Sequence, residues 1–396
     1  MKGKSGCEKA AKIFENAITT YRSVAHQACR FNGEFDRTYF AWITAGGQQY
    51  IASYDHEAKL ILKTLLGAVG NDDHAMPSLL IRSDGHILAF LPQGLGHADA
   101  ICLRTSTNPE DIGSFGEPVV VKTSHSAYPR AWETLDGKIG VITRYRNRVE
   151  EISFSKDGGE KWGAPKTLIN YGGGAIPYGV VFSELEDPGV LHYAGFYVDR
   201  STCYRFGVFY MRSLDGGETW QRINGSLIEL PADQSSMDLV WKAQLVRVLD
   251  VAADFGKPYI LAAHPIDVSG SNTIYRIHYE GGGWIREAIT DSTTFFFARA
   301  KVNTYTTGAV FDCRNPNRVF VSARSGDYSD MQIWERVNGV WTKMADLTCD
   351  AKDHKIRPQS PRNRHPNFQA FWASGTYIGY GNWRCNLWKY PSTNES

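Results

Sequence analysis

The sequence predicts an all-β fold built from one repeated unit, and three observations carry the prediction. Beyond about residue 30 the chain has almost no helical periodicity, and apolar and polar residues alternate with period two in short runs. Those runs come in pairs around Gly or Asp-Gly turns. Aromatic residues make up 13% of the chain and glycines number 38, which suits short strands joined by tight turns.

The pairs follow in order along the chain. They read "YFAWITAGGQQYIASYD", "SLLIRSDGHILAFLPQ", "AWETLDGKIGVITRYR", "VVFSELEDPGVLHYAGFY", "VLDVAADFGKPYILAAH", "AVFDCRNPNRVFVSARS" and "FQAFWASGTYIGYGNW". These seven hairpins recur at roughly 40 to 65 residues, the spacing of propeller blades. Several are followed by a third strand and a Trp-bearing fourth: "EEISFSKDGGEKW", "VFYMRSLDGGETW", "IYRIHYEGGGWI" and "MQIWERVNGVWTKM". Four-stranded antiparallel sheets repeated radially form a β-propeller, and the count predicts seven blades. Ahead of them, residues 5–22 read as a short helix. The expected organisation is an N-terminal extension over 1–24 and a single propeller domain over 25–391.

Composition narrows the function classes. The formal net charge is +1, so bulk electrostatics points to neither nucleic acid nor an acidic membrane. No run reaches the roughly 18 apolar residues of a membrane helix. The segment "MKGKSGCEKAAKIFENAITTYRS" lacks the apolar core of a secretory signal. The expectation is a monomer acting outside the cell or on a cell or virion surface, exported by another route or with its leader missing from this chain. Seven scattered cysteines form no CxxC pair, which argues against a disulfide framework or a zinc ribbon. His264, His278, Cys313 and His365 could ligate a structural metal, but their spacing matches no standard site. No organic cofactor is expected.

Two segments form Asp boxes. Ser213-Leu-Asp215-Gly-Gly217-Glu-Thr219-Trp220 fits S-x-D-x-G-x-T-W fully, and Ser155-Lys-Asp157-Gly-Gly159-Glu-Lys161-Trp162 departs only at Lys161. The carboxylate accepts backbone N–H groups of a turn, glycines supply positive φ, and Trp packs between blades. The box is scaffold, so function must be read from a site.

The candidate site lies elsewhere. His74 ends "NDDH", where Asp72 and Asp73 are expected to shape the loop and hold the imidazole. His97 follows the second strand of the same unit. Tyr128 opens the next unit in "SAYPRAWE", and Arg144 closes that hairpin with Arg146 nearby. Tyr178, in "AIPYGVVF", occupies the matching position one unit later. Matching positions of neighbouring blades face the same axial region, so these side chains can converge. Such a set suits elimination across a 4-linked uronate. Arg or His neutralises the carboxylate, a neutral His or a tyrosinate takes the C5 proton, and Tyr protonates the leaving oxygen. A near-neutral chain needs a local basic cleft to hold a polyanion. Arg144, Arg146, Arg200 and Arg357 are expected to line it.

The order of motifs resembles the ulvan-lyase-like family of seven-bladed propeller polysaccharide lyases and its neuraminidase-repeat relatives. "NDDHAMPSLLIRSDGHILAF" is similar to that family's DDH-x-x-P-A/S-L segment, and "AYPRAWETLDGKIGVITR" to its Tyr-Pro strand ending in arginine. "TSTNPEDIGSFGEP", "YTTGAVFDCRNPNRVFVSAR" and "KIRPQSPRNRHPN" resemble further stretches of it. The resemblance implies that His74 and His97 line a catalytic cleft and that Tyr128 is the acid, and leaves open whether the same residue is also the base. It implies that Arg144 binds or neutralises the uronate and that Tyr178 contacts substrate. The implied partner is an acidic polysaccharide. Two rival readings are a non-catalytic glycan-binding propeller and a sialidase-like glycoside hydrolase. The hydrolase would need a carboxylate pair and an Arg-Ile-Pro motif near the first strand, and neither is found.

Overall fold

The computed structural model describes residues 7, 10–20, 26–93, 100–122, 125–146, 148–266, 271–293, 305–349 and 351–392. Among them the fold is all-β, and its one helical element is the 3-10 turn Asp73–Ala75. The strands assemble as antiparallel meanders. Ser78–Ile81, Ile87–Pro92, Ile101–Thr105 and Val119–Lys122 make one sheet, and Ser126–Glu133, Ile139–Tyr145, Val149–Ser155 and Lys166–Ile169 the next. A third begins Ile176–Ser183, Leu191–Val198, Arg205–Ser213. Within each, the first strand is buried and later strands grow exposed. Ser78–Ile81 is buried throughout, whereas Val119–Lys122 alternates. Strands buried on both faces belong at a centre.

The first strands form a ring. Ala28–Asn32, Ser78–Ile81, Ser126–Glu133, Ile176–Ser183, Arg247–Asp254, Ala309–Asp312 and His354–Gln359 each pack on the next. The parallel bridge Cys29–Arg362 and the bond from the Arg30 N–H to the Arg362 carbonyl close the circle. This radial arrangement of meanders is a β-propeller. The strands from Arg247 to Asp346 form one eight-stranded sheet, two meanders joined by the pair Ser292–Ala323.

The sequence reading needs three corrections. No helix forms over 5–22 among the described residues. Ala11–Phe14 is a strand paired with Asn382–Tyr390, and Ala17–Ile18 pairs with Ile43–Thr44. Ala, Lys and Glu favour a helix there, but the open edge of the final sheet satisfies the backbone better. In the outer units the quoted hairpins are displaced. Ala370–Gly379 runs unbroken through Gly375, and His354–Gln359 supplies the inner strand. Finally, Cys7 and Cys349 form a disulfide.

Both Asp boxes hold turns. Asp215 accepts the Thr219 N–H at 2.9 Å, Gly217 N–H donates to Ser213 Oγ, and Trp220 Nε1 donates to the Gly217 carbonyl. Asp157, Ser155 and Trp162 repeat the pattern. Each box docks on the first hairpin turn of the preceding sheet: a Cβ on Gly216 would meet Thr134 Cγ2 at 2.5 Å. Boxes and hairpin turns therefore share one face of the ring. The leading ends of the inner strands open on the other.

Candidate active site

That other face carries the site. The turn Asp73–Ala75 leads into Ser78–Ile81, with Asp72 as its N-cap. The Asp72 carboxylate accepts the His74 backbone N–H at 2.8 Å and contacts His74 Nδ1 at 2.5 Å. Asp73 Oδ1 lies 3.3 Å from the same nitrogen. The other Asp73 oxygen accepts from Arg357 Nη1 at 2.7 Å and from the Tyr377 hydroxyl at 2.8 Å. Burial works against charge on His74, but the hydrogen bonds and charges of Asp72 and Asp73 outweigh it and push the imidazole up to about 10. At neutral pH it is therefore a cation rather than a free base. Burial works against ionisation of Asp73 too, yet Arg357, His74 and Tyr377 hold it well below the usual carboxylate range.

Tyr128 and Arg357 owe their aim to bulges on inner strands. Tyr128 has φ +62 where the register slips between Ala127 and Arg130. Arg357 has φ +54 where it slips between Ile356 and Gln359. A bulge re-aims one side chain at the cost of local strain. Tyr178 sits in regular pairing and stacks on Phe196, ring centroids 5.4 Å apart.

Arg144 joins the two tyrosines. Its guanidinium carbon lies 4.2 Å from the Tyr128 ring centroid and 4.4 Å from that of Tyr178, and the residue is 1% exposed. His74 stacks on Tyr128 at 5.8 Å and meets Tyr380 edge-on at 4.4 Å. Burial pushes the Tyr128 phenol well up. For Tyr178, burial acts in the same direction. The charge and hydrogen bond of Arg144, helped by His74 and Arg205, overcome it and bring the phenol down to about 8. Two neighbouring tyrosines are thereby driven apart in acidity, which is how one site comes to hold both an acid and a base.

These groups surround a pocket lined by Thr20, Asp73, His74, Tyr128, Tyr178, Phe196, Arg205, Arg247, Tyr305, Arg357 and Tyr380. Of the eight site residues expected from the sequence, His74, Tyr128, Tyr178 and Arg357 line it, and Arg144 lies behind its tyrosines. Arg200 lines a separate groove with Arg148 and Gly172–Gly174, and Arg146 packs against Tyr145. His97 lies outside the described residues. The sequence reading missed Arg205, Arg247, Tyr305, Tyr377 and Tyr380: Tyr305 opens the quoted stretch "YTTGAVFDCRNPNRVFVSAR" and the other two tyrosines lie in the last quoted hairpin, where nothing local marks them as site residues.

The chain belongs to the BNR repeat-containing family. The family model, described as BNR repeat-containing family member, matches residues 37–292. No curated protein matches the chain by sequence. This BNR protein is similar in structure to an ulvan lyase of polysaccharide lyase family PL25, solved bound to -[GlcA(1-4)Rha3S]-. The TM-score is 0.73 at 14% identity, over 96% of this chain and 95% of that one. It is similar also to the polysaccharide lyase Uly1, with a TM-score of 0.62 at 12% identity, over 96% and 92% of the two chains. The likeness shows a common fold across nearly the whole length of each.

The donor atoms of Asp72, Asp73 and His74 lie within 4.8 Å of one another, close enough for a metal. Their chemistry favours an ion-pair cluster instead: Arg357 engages Asp73, and His74 holds a proton that a metal would have to displace. The four metal candidates from the sequence have other neighbours. His264 faces Trp241, His278 bonds Glu280, Cys313 donates to the Pro361 carbonyl, and His365 stacks on His56. Among the described residues no helix is long and apolar enough to cross a membrane.

Proposed function

We propose that this BNR protein is a polysaccharide lyase that cleaves a uronic-acid-containing polymer by β-elimination. The observation that carries the proposal is the Arg144 guanidinium held between the Tyr128 and Tyr178 rings. It supplies one phenol that ionises near neutral pH and leaves its neighbour protonated. Tyr178, as phenolate, takes the C5 proton of the uronate. The electron pair forms the C4=C5 double bond as the C4–O glycosidic bond breaks. Tyr128 gives its proton to the departing oxygen. The protonated His74, stacked on Tyr128, neutralises the uronate carboxylate and so acidifies C5–H.

Arg144 acts through the tyrosines rather than by touching sugar. Arg357 is a positioning residue that fixes Asp73 and thereby His74. The ring is taken as seven-bladed, dividing the eight-stranded sheet at Ser292–Ala323. The fold shared with two polysaccharide lyases supports the reaction class.

The test is to follow the ultraviolet absorbance of the new double bond over a panel of uronate polymers: ulvan, glucuronan, alginate, pectate and glycosaminoglycans. Wild type should produce unsaturated ends from at least one. Tyr128→Phe should lose about 10²–10⁴-fold of that rate while keeping its fold. Polymer binding without any unsaturated product would replace the lyase with a glycan-binding propeller.

A further inference from the structure

The turn that carries His74 is gripped from two sides, and the reaction scheme above uses only one of them. From the final hairpin, the Tyr380 carbonyl accepts the Asp73 N–H at 2.8 Å and the Tyr377 hydroxyl bonds the Asp73 carboxylate, beside Arg357. From the opposite side comes Gln49, on the strand Gln48–Asp55, with 0% of its surface exposed. Its Nε2 donates to the Ala75 carbonyl at 2.7 Å and to the Pro92 carbonyl at 3.0 Å. An amide nitrogen carries two hydrogens, so both are spent, and two carbonyl acceptors fix which way the amide faces. Ala75 directly follows His74, and Pro92 ends the strand Ile87–Pro92. Gly67, the cross-strand partner of Gln49, leaves room for the amide: a Cβ there would stand 3.1 Å from Gln49 Oε1. A buried, uncharged side chain spent on two backbone carbonyls takes no part in proton transfer. It holds the far end of the turn against the strand Ile87–Pro92.

We propose that Gln49 is a positioning residue for the elimination: by tethering the Ala75 carbonyl it holds the His74 imidazole at the pocket. This rests on the lyase reading, in which His74 neutralises the uronate carboxylate. Arg357 fixes the Asp73 end of the turn and Gln49 fixes the Ala75 end. With the Ala75 end released, the ring shifts relative to Asp72 and Tyr128, and a displacement of about 1 Å at a positioned group costs about 10²-fold in rate. The charged and titratable groups around His74 are Asp72 and Asp73 on its own turn, Tyr128, Tyr178 and Tyr380 from the strands around the pocket, and Arg357 through Asp73. Gln49 adds no charge to that set. A neutral replacement can therefore move the His74 titration only through geometry.

The test is Gln49→Met, which keeps the length of the side chain and removes both donors. Turnover of a uronate polymer, calorimetric binding of the same polymer and NMR titration of His74 are measured at a temperature where the variant is folded. kcat should fall by about 10–10²-fold, polymer affinity and KM should change far less, and His74 should titrate below its wild-type value of about 10. A variant that is less stable to denaturant but keeps the wild-type kcat and His74 titration would overturn the proposal, because Gln49 would then only pack. A loss confined to polymer affinity, with His74 titrating as in wild type, would overturn it too. If Gln49→Met fails to fold, Gln49→Asn decides: its donors fall one methylene short of both carbonyls, and unchanged kcat and His74 titration would reject the proposal. A lowered His74 titration in a protein whose wild type yields no unsaturated product would keep the tether and remove the lyase.

Discussion

The guanidinium of Arg357 bonds the carboxylate of Asp73 at 2.7 Å, joining residues 284 positions apart, and both side chains are buried. The pair anchors the turn that carries His74. Replacing Asp73 by Asn leaves the Arg357 charge buried without its counter-ion, which costs about 3–5 kcal/mol. Denaturant unfolding checks this, and NMR titration of His74 should show its pKa falling from about 10.

The same cluster sets a pH window for stability. His74 is raised from 6.5 to about 10 on folding, so its contribution is full below 6.5 and disappears as pH climbs through about 10. Asp73 is lowered from 3.8, so its contribution is present above 3.8 and lost on acidification. The melting-temperature gap between wild type and His74→Gln should therefore be widest at and below pH 6.5 and close towards pH 10.

Activity should follow a bell. kcat/KM rises as Tyr178 loses its proton at about 8 and falls as His74 loses its own at about 10. These values belong to the coupled cluster rather than to isolated groups. Arg144→Gln removes the cation that acidifies Tyr178, so the rising limb should move up towards 10, the ordinary tyrosine value. The two limbs then meet and the maximum collapses. An unshifted rising limb in Arg144→Gln would show that another group is the base.

Scaffold and chemistry should separate cleanly at Trp220. Its side chain is fully buried and packs with Trp132 and Tyr193, far from the cavity lining. Trp220→Ala should cost about 3–5 kcal/mol of stability. At a temperature where the variant stays folded, kcat and KM should match wild type. Thermal unfolding and steady-state kinetics together check this.

The disulfide should stabilise without touching catalysis. It links Cys7 to Cys349 across 342 positions. Cys7→Ser should lower unfolding free energy by about 2–4 kcal/mol, an effect that reducing agent reproduces in wild type and fails to produce in the variant.

What the sequence revealed was what local chemistry dictates. The Asp boxes, the hairpins and the Asp72 cap on His74 all act within a few residues, so their patterns could be read directly. The Tyr128 and Tyr178 positions were legible because repeated units place matching residues at matching ends. Long-range choices left no trace. Nothing near Asp73 announces Arg357, and nothing around Arg205 or Arg247 announces that both lie against Tyr305. The bulge that turns Tyr128 to φ +62 is fixed by pairing with Ile139–Tyr145 rather than by residue type. The segment Ala11–Phe14 misled because local propensity favours helix while its pairing partner lies more than 350 residues away.

Pairing Ala11–Phe14 with Asn382–Tyr390 also dictates a schedule. On the ribosome, where chains fold as they emerge, this early strand must wait until nearly four hundred residues have been made. Until then the ring is an open arc, its two ends lacking each other's cover, and the cavity at its centre lacks one wall. Arg357 and Tyr377 arrive in the same late stretch, so Asp73, and with it the turn that carries His74, is anchored only as the arc shuts. A truncated or stalled nascent chain would therefore carry most of the strands and none of the finished site.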